Sequence, residues 1–302
     1  MIAIDLGSNT LQVVEYDCSS NKKIAHFQKN VRTAQGLVES GVISKEAIKR
    51  VIEALKEAKK RIKFNNKEIF AVTTQALRVA KNQKEVVEEI YKEVGIKFRV
   101  ISPLEEARLT LEAVKNRLFK LGFKGDFVLV DIGGGSTELI YYIDNHIYSK
   151  SFDLGIVTTA NSCKSLEEIE RFVEKKALLI EEFAKKFDNS NLIFCATAGT
   201  PTTIAAMKHN LTYATYDAEV VNGTILKVEE LDFYLNRLLE MDKKEREVVV
   251  GVGRDDLIVA GIIIFKKIYE ILGKEEAVVV DDGLSMGVAL MGCKELEKNR
   301  GK

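Results

Sequence analysis

The stretch FVLVDIGGGSTELI, residues 127–140, decides the fold of this chain. Its first four residues form a short apolar run without alternation, which is typical of a strand that is covered on both faces. Asp131 follows near the end of this run, and three glycines come next. Glycine suits a turn that needs a positive φ or a backbone that closely approaches a ligand. The stretch therefore predicts a strand, a tight glycine loop and a second strand.

The side chains around this loop indicate a bound phosphate and a divalent cation. Consecutive N–H groups in such a turn can form a nest for an anion, and hydroxyl groups add further donors. The predicted phosphate-binding residues are Gly133, Gly134, Gly135, Ser136 and Thr137. Asp131 and Glu138 stand where their carboxylates could hold a divalent cation through its waters. A hairpin turn with glycine present for geometry alone is the alternative interpretation.

The chain opens with a second copy of this pattern. An apolar strand over residues 2–4 leads into DLGSNT, residues 5–10, which repeats the Asp-apolar-Gly start of the first stretch. The predicted phosphate-binding residues here are Gly7, Ser8, Asn9 and Thr10. Two such loops predict two related halves that face one ligand across a cleft.

Composition excludes several classes of protein. The chain has 302 residues, of which 46% are hydrophobic, enough for two domains. Lysine plus arginine and aspartate plus glutamate number 45 each, so no nucleic-acid partner is expected. The four cysteines lack C-x-x-C spacing, which favours reduced thiols over a soft-metal site. Neither a signal-peptide pattern nor a membrane-length apolar run is visible, so we expect a cytoplasmic protein without a membrane partner.

Strand and helix patterns alternate along the chain, which predicts the α/β class. The main predicted helices cover residues 44–62, 103–115, 166–187 and 284–296, and the main predicted strands cover residues 69–72, 97–101, 192–195 and 277–280. Pro201 is predicted to be the first residue of another helix. The predicted domains are residues 1–120 and 121–302, with a closing helix over about 284–298 that can pack back on the first lobe.

Seven blocks of the chain resemble the exopolyphosphatase and guanosine pentaphosphate phosphohydrolase family, in order and at compatible spacing. They are AIDLGSNT (3–10), TTQALRVA (73–80), ISPLEEARL (101–109), VDIGGGSTEL (130–139), ATAGTPTT (196–203), GRDDLIVAGIIIF (253–265) and DDGLSMGVAL (281–290). The resemblance covers essentially the whole chain. It implies two actin-like (ribonuclease H-like) lobes with a phosphate-binding cleft between them.

The resemblance also assigns roles to single residues. Glu106 corresponds to the glutamate that activates the attacking water, and Arg78 corresponds to a phosphate-binding arginine. Asp5, Asp131 and Glu138 correspond to residues that place Mg²⁺, or Mn²⁺, and its waters. For Glu106 the alternative is a surface carboxylate that complements the helix dipole, and for Arg78 it is a solvated cation.

A third anion site is predicted at Gly199 and Thr200, where hydroxyl and N–H groups meet at a helix start. Ordinary helix capping is the alternative there.

Two departures from the family pattern matter. Asp281 stands where relatives usually carry an arginine, although Asp282 keeps the acidic partner. We therefore assign no ligand contact to that turn. The chain also lacks the helical hydrolase domain that long members append, so we expect a short, two-domain form.

The implied activity is magnesium-dependent hydrolysis of a terminal phosphoanhydride, in inorganic polyphosphate, in guanosine pentaphosphate (pppGpp, giving ppGpp), or in both. Polyphosphate is favoured because no aromatic-rich base pocket is visible in the sequence. A kinase of the same superfamily and a non-hydrolytic sensor of guanosine penta- or tetraphosphate are the alternatives. A homodimer is compatible with the sequence but is not indicated by any stretch of it.

Overall fold

The computed structural model describes residues 1–255 and 257–300, so the last two residues of the predicted second lobe lie outside the described residues. The chain divides into two compact units. The first unit combines Met1–Ala113 with Asp282–Lys302, and the second is Val114–Asp281. None of the helices in the described part of the chain offers the length of apolar surface that a bilayer crossing requires.

The first unit contains a mixed sheet in the order β3-β2-β1-β4-β5. Its strands are β1 (Ile2–Leu6), β2 (Thr10–Asp17), β3 (Lys22–Asn30), β4 (Ile69–Thr73) and β5 (Arg99–Val100). β1, β2 and β3 form an antiparallel meander, whereas β4 and β5 run parallel to β1. Its helices are α1 (Leu37–Ser40), α2 (Lys45–Arg61), α3 (Gln75–Val79), α4 (Gln83–Val94) and α5 (Pro103–Lys120), of which α5 continues into the second unit.

The second unit repeats this plan in a sheet with the order β10-β11-β9-β6-β7-β8. Its strands are β6 (Phe127–Ile132), β7 (Thr137–Ile143), β8 (His146–Phe152), β9 (Ile193–Thr197), β10 (Ile225–Lys227) and β11 (Glu276–Val279). β6, β7 and β8 form the meander, and β9 and β11 run parallel to β6. The order β8-β7-β6-β9-β11 therefore matches β3-β2-β1-β4-β5, and the predicted α/β class with two ribonuclease H-like halves is confirmed.

Local sequence explains where several helices begin. The Ser44 side chain accepts a hydrogen bond from the N–H of Ala47 and caps α2, as predicted. Ser102 does the same for α5, where it accepts from the N–H of Glu105, and Pro103 takes the first helical position. The remaining helices are α6 (Ile156–Ser162), α7 (Leu166–Ala184), α8 (Gly199–Lys208), α9 (Ala218–Val221), α10 (Val228–Glu240), α11 (Lys243–Val250), α12 (Ile258–Leu272) and α13 (Leu284–Arg300).

The closing helix α13 belongs to the first unit and packs on its sheet. Val288 and Ala289 lie in one buried cluster with Ala3 of β1 and Val72 of β4. Gly287 allows close packing against α5, because a Cβ at this position would lie 2.1 Å from the carbonyl oxygen of Leu109. The core of the first unit is therefore completed by residues from the far end of the chain.

This packing corrects the prediction that all cysteines are reduced. Cys18 follows β2 and Cys293 lies on α13, and the two form a disulfide with a Cα–Cα distance of 5.4 Å. This pairing was not predicted because the two cysteines are 275 residues apart in the sequence. Cys163 and Cys195 are free thiols, as expected.

Candidate functional site

The carboxyl ends of three parallel strands meet at one edge of the first sheet. Leu6 of β1 lies opposite Thr73 of β4, and Thr73 lies opposite Val100 of β5. The Thr73 hydroxyl ties two of these ends together by donating to the carbonyl oxygen of Leu6 at 2.9 Å. The first glycine loop, α3 and α5 all follow these strand ends. The fold thus gathers the predicted residues of this unit on one edge, where open α/β sheets bind ligands.

The first glycine loop is a tight connection between β1 and β2. The N–H of Gly7 donates to the carbonyl oxygen of Thr10 at 2.9 Å. Ser8 and Asn9 are each only 5% exposed, and the Thr10 hydroxyl bonds the Asn30 side chain at 3.3 Å. Within the described residues, the N–H groups of Ser8 and Asn9 donate to no backbone carbonyl oxygen. The loop therefore holds its side chains inside the unit and has backbone donors for an anion.

Arg78 of α3 and Glu106 of α5 form an ion pair in which the glutamate is buried and the arginine is half-buried. Arg78 Nη1 lies 2.7 Å from Glu106 Oε2 and also donates to the carbonyl oxygen of Ile101 at 2.9 Å. Gln75 accepts from Arg78 Nη2 at 3.0 Å, so the guanidinium is fixed from three sides. Glu106 is 8% exposed. The neighbouring Glu105 instead pairs with Arg99 at the surface.

Burial raises the pKa of Glu106 above the ordinary value, and the charge and hydrogen bond of Arg78 act in the opposite direction. A carboxylate of this kind can accept a proton at a pH nearer neutrality than an exposed glutamate. Glu106 is buried and Arg78 is half-buried and paired, so neither the surface-carboxylate alternative for Glu106 nor the solvated-cation alternative for Arg78 describes its position.

The second glycine loop is closed in the same way as the first. The N–H of Gly133 donates to the carbonyl oxygen of Ser136 at 2.9 Å. The start of α6 covers this loop from one side, because the N–H groups of Ile156 and Val157 donate to the carbonyl oxygens of Gly133 and Gly134 at 3.0 and 2.8 Å. With its carbonyl groups engaged by α6, the loop resembles an anion nest built from backbone donors.

Close approach explains the glycine at position 155, in the segment that covers this second loop. A Cβ at Gly155 would lie 2.4 Å from the carbonyl carbon of Gly135, so two backbone segments cross here almost in contact. The glycines with positive φ lie elsewhere in the described residues. Thr137 is fully buried and its hydroxyl donates to the carbonyl oxygen of Leu154, so its side chain supports the loop from inside.

Asp131 and Glu138, the predicted metal-associated pair of this unit, lie directly opposite each other on β6 and β7. Opposite residues in an antiparallel pair share one face and lie close together, so two carboxylates converge here. Glu138 is buried, and its Oε1 accepts from the Ser151 hydroxyl at 2.6 Å. In the first unit, Asp5 faces Gln12 instead. Among the described residues no group of three or more histidine, cysteine, aspartate or glutamate side chains has metal-binding spacing.

Asp131 and Glu138 nevertheless supply hard carboxylate oxygens, the ligands that Mg²⁺ prefers in proteins. Their donor chemistry therefore fits a cation that keeps several waters and binds the protein through few carboxylates.

Gly199 and Thr200 lie at the start of α8, which begins two residues before the predicted Pro201. Ala198 precedes the helix with a φ of 71°, a left-handed value that alanine rarely adopts. The Thr200 side chain packs against Gly261 of α12 and is buried. Gly199 leaves room for a guanidinium, because a Cβ here would lie 2.2 Å from Arg254 Nη2.

Arg254 was not among the predicted site residues. It is 7% exposed, and burial lowers the pKa of its guanidinium, while Tyr213 and Tyr216 raise it. Tyr216 donates to Asp281 Oδ1 at 2.7 Å, so the aspartate that replaces the family arginine has a tyrosine partner. The structure thus adds a buried cation to the predicted anion site at the start of α8.

Comparisons with known proteins find relatives that match most of this chain. The chain is similar to an Aquifex aeolicus member of the Ppx/GppA protein family whose crystal structure is known, with 30% identity, a TM-score of 0.73 and coverage of 99% of this chain and 97% of that one. It is 27% identical to exopolyphosphatase 2 of Mycobacterium tuberculosis, over 95% of this chain and 97% of the relative.

Two further proteins are similar to this chain, one in fold and one over part of its own length. The crystal structure of an exopolyphosphatase-like protein shares the fold with a TM-score of 0.86 at 23% identity. A bifunctional 3-dehydroquinate synthase/phosphatase of Fusobacterium nucleatum is 25% identical over 97% of this chain, which spans 46% of that relative's length. The family model of the Ppx/GppA phosphatases matches residues 13–295. This chain therefore belongs to the Ppx/GppA phosphatase family.

Proposed function

We propose that this protein hydrolyses the terminal phosphoanhydride of inorganic polyphosphate, with Glu106 as general base and a magnesium ion as cofactor. The observation that supports the proposal is the Arg78–Glu106 ion pair, because it joins a cation and a carboxylate of raised pKa on elements that follow the same sheet edge as the first glycine loop. The name of the Mycobacterium tuberculosis relative, exopolyphosphatase 2, supports polyphosphate as the substrate.

The proposed reaction needs an attacking water, a base for its proton and positive charge on the phosphoryl oxygens. A water molecule attacks the terminal phosphorus atom, Glu106 accepts a proton from it, and the bridging oxygen leaves with the electron pair of the broken P–O bond. Arg78 and the N–H groups of the first glycine loop stabilise the negative charge on the phosphoryl oxygens. Asp131 and Glu138 would hold the magnesium ion, which neutralises phosphate charge when bound.

Hydrolysis of pppGpp is the second candidate activity. Tyr213 and Tyr216, both beside Arg254, favour it, because an aromatic ring can contact a nucleobase while the cation contacts a phosphate. Such aromatic groups were not recognised in the sequence. The two substrates share the same bond cleavage, so they are distinguished only by direct assay.

The test is phosphate release with Mg²⁺ from polyphosphate, pppGpp and ATP, measured separately. Glu106→Gln should lower the rate by about 10²- to 10⁴-fold, because general-base assistance is lost. Glu105→Gln, which alters the adjacent surface carboxylate, is the matched control and should remain active.

Equal rates in the two variants would reject Glu106 as the base. Binding of pppGpp or ppGpp without phosphate release from any substrate would favour the sensor alternative, and transfer from ATP to an acceptor would favour the kinase.

Three expectations stay predictions, namely Mg²⁺ or Mn²⁺ as the working metal, homodimer formation, and the cytoplasmic location. The cytoplasmic location was expected partly because the cysteines were predicted to be reduced. The Cys18–Cys293 disulfide removes this support, because disulfides persist mainly in oxidising compartments.

A further inference from the structure

The segment that follows β3, residues 31–35, packs directly on the first glycine loop. The N–H groups of Val31 and Arg32 both donate to the carbonyl oxygen of Asn9, at 2.8 and 2.9 Å. The N–H of Ala34 donates to the carbonyl oxygen of Ser8 at 2.9 Å. The backbone of Arg32 is therefore one hydrogen bond away from the predicted phosphate-binding residues.

Arg32 has a backbone conformation that is unfavourable for its side chain. Its φ is 47°, in the left-handed region where glycine and asparagine are common and a long side chain is rare. Such outliers cluster at ligand sites, where the surrounding structure maintains them. Thr33, which comes next, is completely buried, and its hydroxyl has no hydrogen-bond partner in the described part of the chain.

Arg50 of α2 holds this segment in place. Its Nε donates to the carbonyl oxygen of Val31 at 2.8 Å, and its Nη2 donates to the carbonyl oxygen of Arg32 and to Gln35 Oε1, each at 3.1 Å. Only the fork of a guanidinium can make these bonds together, so lysine would not replace it. Burial lowers the pKa of Arg50 most, and the positive charge of Arg32 lowers it further, so the two cations are electrostatically close.

In the second unit, a segment packs on the glycine loop through equivalent backbone hydrogen bonds but carries no cation. The segment after β8, residues 153–157 with the sequence DLGIV, covers the second glycine loop through the N–H groups of Ile156 and Val157. Its backbone role is the same as that of residues 31–34, but its side chains carry no positive charge. Arg32 is therefore a feature of the first loop alone and is not required for covering such a loop.

We propose that Arg32 contacts phosphoryl oxygens of the substrate bound at the first glycine loop, and that Arg50 is a positioning residue that fixes the Arg32 backbone. This inference rests on the proposed phosphohydrolase function and adds a second arginine to Arg78. A charge-assisted contact to phosphate contributes mainly to binding, so the effect should appear in KM and in the dissociation constant.

The sharpest test is Arg32→Asn, because asparagine tolerates the left-handed conformation and removes only the guanidinium. The KM of this variant for tripolyphosphate should rise by roughly tenfold to a hundredfold with kcat nearly unchanged. Arg50→Lys should raise KM by a smaller factor. Arg61→Gln, at an exposed position at the end of α2, is the charge-matched control and should change neither quantity.

Calorimetric binding of tripolyphosphate, measured beside the kinetics at two salt concentrations, separates the possible failures. If the wild type binds but releases no phosphate, the proposed function fails while the dissociation constants still test Arg32. If the wild type is active and Arg32→Asn has the KM and dissociation constant of Arg61→Gln, the proposal for Arg32 is overturned. A weaker affinity with a smaller salt dependence in Arg32→Asn supports it.

Discussion

Glu106 shows how one buried residue acquires its chemistry from its partners. An isolated buried carboxylate is costly, and the ion pair with Arg78 compensates part of that cost. The same pair keeps the guanidinium on the edge of the sheet where the glycine loop ends. The pair therefore serves both the stability of this edge and the proposed reaction.

The pH dependence of hydrolysis should report this pair. Glu106 must be deprotonated to act as a base, and burial raises its pKa, so kcat/KM should fall as the pH is lowered through that value. Arg78→Met removes the influence that lowers this pKa, so the acidic limb should move to higher pH. The measurement is a pH–rate profile for both proteins.

Arg99→Met, which removes the surface partner of Glu105, is the control and should not change the pH at which the acidic limb of the profile falls. An acidic limb at the same pH in Arg78→Met would contradict the assignment of Glu106 as the titrating base.

At the scale of elements, the closing helix α13 is the part whose place depends on a covalent bond as well as on packing. Its apolar face completes the core over β1 and β4, and Cys293 links it to Cys18 beyond β2. The disulfide encloses almost the whole chain, so it restricts the unfolded state strongly.

Removing this disulfide should lower the free energy of unfolding by about 3–5 kcal/mol in the oxidised protein. Cys293→Ser tests this by denaturant titration, and a reducing agent added to the wild type should give a similar loss. Cys163→Ser, which removes a free thiol, should show no comparable change. Unfolding curves that are the same with and without reductant would mean that the bond contributes nothing to stability.

At the scale of the whole molecule, substrate binding should stabilise the folded protein by mass action. A ligand at about 100 times its dissociation constant adds about 2.7 kcal/mol, so tripolyphosphate with Mg²⁺ should raise the unfolding temperature. The part of this shift that needs Mg²⁺ should be lost in Asp131→Asn, because one of the two facing carboxylates is then neutral. Asp144→Asn, on the turn after β7, is a control that should retain it.

An unchanged Mg²⁺-dependent shift in Asp131→Asn would contradict the proposed metal role of this residue. Loss of the entire shift, including the part seen without Mg²⁺, would instead indicate that the glycine loop itself was disturbed.

Much of the fold could be predicted because its signals are local. The apolar run before Asp131, the glycines after it and the serine before α2 each act through neighbours a few residues away. The resemblance between the two loops predicted two related halves, and the matching strand orders confirm it. The start of α8 was wrong by two residues because Pro201 is tolerated anywhere in the first helical turn, where its missing N–H has no partner to lose.

The sequence by itself determined the α/β class, the two glycine loops and the residue types available for phosphate chemistry, since turn chemistry and periodicity are short-range properties. Only the tertiary structure decided the pairing of Arg78 with Glu106, the place of Arg254 at the start of α8 and the bond between Cys18 and Cys293. Each of these depends on how distant segments pack on the two sheets. That packing is set by the burial of whole faces, which no single stretch of sequence contains.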